Sequence, residues 1–342
     1  MTDIIFSHDT ALAYWSHPAA QRLPVLDPTA AQASLQTIRG EAHTKTIEKL
    51  LATPRLRGFP RVLDILVPNP NARYSTQRCR FHYCRDLNSE SVSLLPGGTL
   101  NVDGDSYRLL VCTPEMTLLQ MVGLVGDLEL LEIAYELCGW YSLQPRPDGK
   151  LSKRRPVTSS ERIVDYCQIA HGARGSRILR ETTGWILQGS RSPKESQLAI
   201  ASVLPRSRGG YKLPHPLLNH TLTAPANVIP ILGSSRIIPD LYWPNHRIVL
   251  EYDSSLEHTS QTSSRDARKR SAYRMMGLEL VSITPDQLFD RAAFENIMTS
   301  LARKLKRGFR APTAEQLERR AQLYEHLFLG QRRERSFIRA PL

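Results

Sequence analysis

The chain has 342 residues, and its 45 Lys and Arg against 33 Asp and Glu give a formal net charge of +12. That length accommodates two domains with separate cores, and the excess basic charge favours a polyanionic partner, nucleic acid ahead of a membrane surface. No apolar run reaches membrane-spanning length, no basic-then-apolar leader opens the chain, and the five cysteines (79, 84, 112, 138 and 167) contain no C-x-x-C pair; the expectation is a cytoplasmic protein with reduced thiols.

In chain order, residues 7–15 read as a short helix with Ser7 as N-cap, and residues 29–51 as a second helical region interrupted by Gly40. Residues 61–67 and 80–84 read as strands, and residues 100–111 as a hairpin turning at Asn101-Val102-Asp103-Gly104-Asp105. Thr113-Pro114-Glu115 opens a helix with a capping residue and a proline at its first position, and residues 127–138 form a strongly apolar helix. This order, with its C-T-P-E-x-T-L-L turn, resembles the domain of type IV abortive-infection antitoxins over about residues 5–140. That resemblance implies a DNA-binding repressor module and a cognate toxin or defence protein as partner. Thr113-Pro114-Glu115 is equally accounted for as a well-capped helix.

Residues 143–159 combine Pro, Gly and basic side chains and are expected to be a linker. Helices follow at 160–171 and 176–187. Ser192-Pro193-Lys194-Glu195 then starts a helix that ends near Leu204. Glu195 reads as the partner of Ser192 in a capping box; a second reading of it comes from the family resemblance given below. The Gly- and Pro-rich stretch 208–216 lacks phosphate-loop spacing and reads as a connection with Tyr211 packed inward.

The stretch 236–289 carries the chemistry. Two apolar runs, 236–242 and 247–253, flank the turn Trp243-Pro244-Asn245-His246 and read as a strand pair. A helix follows, opened by Ser264 and closed by Gly277, then a buried strand over 278–284, then a helix opened by the capping box Thr284-Pro285-Asp286-Gln287. Asp240 sits in the first strand. Glu251 and Asp253, two apart on the second, leave the same face. Crowded carboxylates need a cationic partner, and a hard divalent ion, Mg²⁺ or Mn²⁺, suits oxygen ligands. The plainer account is ion pairing of Asp240 and Glu251 with Arg236 or Arg247, of little energetic weight.

Asp240, Trp243-Pro244, Glu251-Tyr252-Asp253, His258, Arg265-Asp266, Arg270, Gly277, Val281 and Thr284 occur in an order that resembles the very-short-patch-repair-like endonucleases of the PD-(D/E)-x-K superfamily. The resemblance covers about fifty residues. It implies an α/β protein whose C-terminal half is a restriction-endonuclease-like mixed sheet flanked by helices, beside an α+β N-terminal domain. It further implies Mg²⁺ or Mn²⁺ on Asp240 and Glu251, with Glu195 and Asp253 helping, and hydrolysis of DNA. Asp253 stands where the motif's Lys would be, so His258, Arg268 or Lys269 must supply the positive charge. Ser254 replaces the usual Gly.

The expected division is 1–142, a linker at 143–159, a nuclease domain at 160–300 with its core at 190–290, and a basic helical tail at 301–342. In that tail Leu317, Ala321, Tyr324 and Leu327-Phe328 repeat at helical spacing. Arg268, Arg270, Lys304, Lys306 and Arg307 are the candidate phosphate contacts, a solvated charged face being the alternative. The functional expectation is a metal-dependent DNA endonuclease of a prokaryotic defence or repair setting. The alternative is a nuclease-fold transcriptional regulator that binds without cutting; RNA is also open as a target.

Overall fold

The computed structural model describes residues 2–27, 60–67, 69–85, 87–102, 104–144, 146, 148, 150–253, 260–306 and 309–330, together with Thr29 and Ile47. The fold is α/β with mixed sheets, and the chain divides between Ile186 and Leu187 into two compact units. The helical region expected at 29–51 lies almost wholly outside the described residues.

The first unit is built on a five-stranded sheet of β1 (Thr2–Phe6), β2 (Leu63–Val67), β3 (Cys79–Tyr83), β4 (Val92–Val102) and β5 (Asp105–Cys112), in the order β3-β2-β1-β5-β4. β1 lies at its centre, antiparallel to β2 and parallel to β5. The sequence reading had no strand there, because five residues at a chain start show no period. Tertiary burial decides it: Ile4, Ile5 and Phe6 are each at most 1% exposed. The expected hairpin is present, with Gly104 at φ +86 in its turn.

Helix α1 (His8–Trp15) starts where Ser7 predicts, although the Ser7 hydroxyl meets the His8 ring instead of a helix amide. Trp15 donates its indole N–H to Cys112 O at 2.8 Å. Helices α2 (Pro114–Met121) and α3 (Asp127–Cys138) match their predicted bounds closely, and Thr113 caps α2 through Met116 N. The cysteines are free thiols, and all but Cys84 are buried.

Residues 143–159 lie within the first unit and do not separate two domains. Strands β6 (Tyr141–Ser142) and β7 (Ser152–Lys153) pair antiparallel. Arg154, 4% exposed, donates to Trp15 O and Glu136 O. A buried guanidinium that closes two backbone carbonyls anchors a segment, whatever its Pro, Gly and Lys content. Arg154→Ala is therefore expected to destabilise the protein by about 2–4 kcal/mol in urea unfolding, where a solvated linker arginine would change it by less than about 0.5. Helices α4 (Ser160–Ile169) and α5 (Ser176–Thr183) also belong to this unit and bury Ile163, Tyr166 and Leu179.

The second unit runs from helix α6 (Pro193–Val203) through β8 (Leu217–Leu218), β9 (Leu222–Thr223), α7 (Ile229–Leu232), β10 (Arg236–Ile237), β11 (Leu241–Trp243) and β12 (Ile248–Tyr252). It continues through α8 (Ser260–Met275), β13 (Glu279–Ile283), α9 (Pro285–Phe289), α10 (Arg291–Leu305) and α11 (Ala314–Tyr324). Its main sheet has the order β13-β12-β11-β8, with β12 and β13 parallel and the other pairs antiparallel.

The run 236–242 is not one strand. Arg236 and Ile237 pair with β9 in a separate two-stranded sheet, and β11 begins only at Leu241. Pro239 lies at the break, where its missing N–H cannot continue a ladder. Helix α8 starts four residues before Ser264 and ends as expected at Gly277, whose φ of +64 is the left-handed C-terminal turn glycine favours. β13 is an edge strand with only Ile283 buried, against the expectation of a buried strand. The capping box at Thr284 and Gln287 is complete. Tyr211 is buried, as expected, and donates to Glu295 Oε2 at 2.5 Å. In the tail Leu323, Tyr324, Leu327 and Phe328 are buried, while Leu317 is exposed.

Candidate active site

Leu241 stands opposite Leu250 and Trp243 opposite Ile248. One position further, the same register sets Asp240 opposite Glu251, and Glu251 has Ser282 of β13 as its other register partner. Directly opposed residues on neighbouring strands share a face, so the two carboxylates lie side by side. The Asp240 side chain also accepts Tyr252 N at 2.7 Å. On the other flank Asn219 N donates to Asp240 O at 3.0 Å, and the Asn219 side chain donates to Glu195 Oε2 at 2.5 Å. Asn219 thus links the first turn of α6 to the carboxylate row.

Glu195 forms no capping box. Ser192 Oγ accepts Glu195 N, but the Glu195 carboxylate receives Ser192 Oγ at 3.0 Å and Arg191 N at 2.8 Å, not the Ser192 amide. Its burial raises its pKa, against the lowering effect of those hydrogen bonds.

Helix α8 supplies the positive charge. Lys269 Nζ is 2.5 Å from Glu251 Oε2, and the Tyr273 hydroxyl donates to Glu251 Oε1. Burial first, and Glu251 next, push Tyr273 far above the usual phenol range, so it remains a donor. Asp240 is pushed up to about 7, first by burial and then by Glu251 and Glu195. Three carboxylates therefore crowd a site that one lysine only partly neutralises.

Asp240, Glu251, Lys269, Tyr273 and Asn219 line a cleft of about 620 Å³; Glu195 does not line it. Around the acids stand Arg191, Arg236, Arg265 and Arg270, with Asp253 and Asp266 also on the wall. Arg265, Asp266, Lys269, Arg270 and Tyr273 fall at i, i+1, i+4, i+5 and i+8 of α8, the spacing of one helical face. That face is readable in the sequence, as is Arg236, weighed there as a partner of the acids; Arg191 and Asn219 are not, because only tertiary packing brings them there.

The remaining candidates separate from this site. Arg268 is exposed and Lys304 pairs with Glu279, and neither lines the cleft. Lys306 donates to Tyr211 O at 2.5 Å, and burial lowers it to about 8, so it is a structural contact and not an open phosphate ligand. Arg247, weighed as an ion-pair partner, donates to Gly277 O at 3.0 Å and to Met276 O at 2.5 Å. His258 and Arg307 lie outside the described residues.

The donor set can be tested against a divalent ion. Among the described residues no group of three or more His, Cys, Asp or Glu is arranged as a ready metal cage. Mg²⁺ does not need one, since it is commonly held by one or two carboxylates plus waters and substrate phosphate. The adjacent Asp240 and Glu251 fit that mode. Among the described residues no helix is long and apolar enough to cross a membrane. No protein-family model, curated protein or solved structure matches the chain.

Proposed function

We propose that the second unit is a metal-dependent endonuclease that hydrolyses phosphodiester bonds in DNA, of the very-short-patch-repair-like kind within the PD-(D/E)-x-K group. The observation that carries this reading is the adjacent pair Asp240 and Glu251, with Lys269 on Glu251, lining a cleft together with four arginines. Asp240 and Glu251 would hold Mg²⁺ or Mn²⁺, which when bound supplies an acidified water and neutralises charge on the scissile phosphate. Glu195 and Asn219 fix Asp240 from the α6 side. Lys269 stands in for the lysine that the motif lacks at Asp253, and its ammonium is placed to counter charge on a phosphate oxygen. The arginines bind flanking phosphates. By its resemblance to antitoxin domains, the first unit would bring the enzyme to DNA or to a partner protein in a prokaryotic cytoplasm.

The test is supercoiled plasmid with Mg²⁺ or Mn²⁺, beside Asp240→Ala and Glu251→Ala. Nicking by wild type alone supports the proposal. A second reading has its own observation: both Glu251 oxygens already receive donors, Lys269 and Tyr273. In that reading the unit binds DNA as a regulator without cutting, and neither metal gives nicking in any of the three proteins. Under both readings the combined change Arg236→Ala and Arg270→Ala should weaken duplex binding and flatten the slope of log K against log salt by about 2. An unchanged slope in a filter-binding titration would remove this cleft from the DNA path.

A further inference from the structure

The first unit contains a second cleft, of about 970 Å³, that phosphodiester hydrolysis in the second unit does not use. His8, at the start of α1, and His82, on β3, line it. Behind them lies Asp64 of β2, 1% exposed, which receives His82 Nε2 at 2.7 Å and Arg80 Nη2 at 2.8 Å. Burial acts to raise the Asp64 carboxyl, but the His82 and Arg80 hydrogen bonds outweigh it and hold the group below the ordinary carboxylate range. An ionised carboxylate only accepts, so His82 Nε2 carries the proton in that bond and the ring is held fixed in the cleft wall.

The two imidazoles are stacked, with centroids 3.7 Å apart and planes at 21°. Two charged rings would repel at that distance. Burial first, and His82 next, push His8 down to about 3, so the His8 ring is neutral. His8 also holds φ +46, a costly region for a residue with a side chain, and its N–H is fastened to Gln120 Oε1 at 3.0 Å. Strain of this kind persists where the surroundings over-determine it, and it clusters at ligand sites.

The wall completes a pattern. Arg73, Arg85, His171 and Arg174 line the cleft, and among the described lining residues there is no carboxylate. Tyr83, Leu124 and Ile169 line it too, and at 37%, 54% and 47% exposure they offer uncovered aromatic and aliphatic surface. A cationic wall without acids selects an anion, and the apolar surface selects a body that is not itself charged. The volume lies in the range of pockets that take a whole small ligand.

We infer that this cleft binds a nucleoside phosphate, its phosphate on the arginines and its base on the Tyr83, Leu124 and Ile169 surface. The inference is independent of whether the second unit cuts DNA. Free mononucleotide and the 5′-phosphorylated end of a DNA strand share this chemistry.

Calorimetric titration of the full chain in EDTA with adenosine 5′-monophosphate tests it, beside inorganic phosphate and adenosine alone. The nucleotide should bind more tightly than either fragment, and Arg174→Ala should weaken it about tenfold. Arg73→Ala should also weaken it, with circular dichroism confirming that both variants fold; Arg270→Ala, in the other unit, should leave it unchanged. Competition by a 5′-phosphorylated oligodeoxynucleotide, and not by its hydroxyl-ended twin, would assign strand ends as the source; competition by neither would assign free mononucleotide. No binding heat at about 1 mM nucleotide, or equal loss in Arg270→Ala, would overturn the inference.

Discussion

Glu251→Gln is expected to reduce metal-dependent nicking by on the order of 10²–10³-fold or more while the second unit stays folded. The carboxamide keeps an oxygen for the Tyr273 hydroxyl and the volume of the original side chain. What it loses is the negative charge, and with it the attraction for both Lys269 and a divalent ion. Lys269→Met should also lower cleavage, but for another reason: Glu251 and Asp240 would keep or gain metal affinity while losing the ammonium beside the phosphate. The two variants should therefore differ under metal titration. Glu251→Gln should need more Mn²⁺, whereas Lys269→Met should saturate at the wild-type concentration or below with a lower plateau. Parallel loss with the same metal midpoint would mean that Lys269 and Glu251 act only as an ion pair that shapes the cleft.

Asp240→Asn is expected to stabilise the metal-free protein near neutral pH, the reverse of what most buried substitutions do. The folded-state carboxyl titrates near 7 against an ordinary value of 3.8. A raised carboxyl holds its proton more tightly in the folded state. Its contribution to stability is therefore complete below pH 4 and is lost as pH rises through about 7. Above that, the wild type should be less stable than the Asn variant by on the order of 2–4 kcal/mol, and the gap should close toward pH 4. Amide-exchange protection of β11 and β12 in EDTA reads this unit alone. Added Mg²⁺ should restore protection to the wild type and not to the variant. A less stable Asn variant at pH 8 would instead make Asp240 a structural acceptor for Tyr252 N–H, with no electrostatic stress to relieve.

Much of the site was legible in the sequence because its parts are local. The shared face of Glu251 and Asp253 follows from strand period and the polar face of α8 from helical period, while Asp240, expected within a strand, lies just before β11. The register that opposes Asp240 to Glu251 follows from the turn at residues 244–246. Capping chemistry at Thr113 and Thr284 fixed two helix starts for the same reason: one side chain and one amide, three residues apart.

What the sequence could not decide depends on contacts far apart along the chain. β1 is a strand only because β2 and β5 flank it, and Arg154 is structural only because two distant carbonyls converge on it. Composition marked residues 143–159 as a linker, and burial overruled composition. Asn219 and Glu195 join the carboxylate row through hydrogen bonds of Asn219 to Glu195 Oε2 and to Asp240 O, and Lys269 reaches Glu251 from α8. Local pattern set the elements and the acids; the choice among possible partners for each charge was made by the tertiary structure, since burial makes an unpaired charge costly and leaves few arrangements that satisfy all of them.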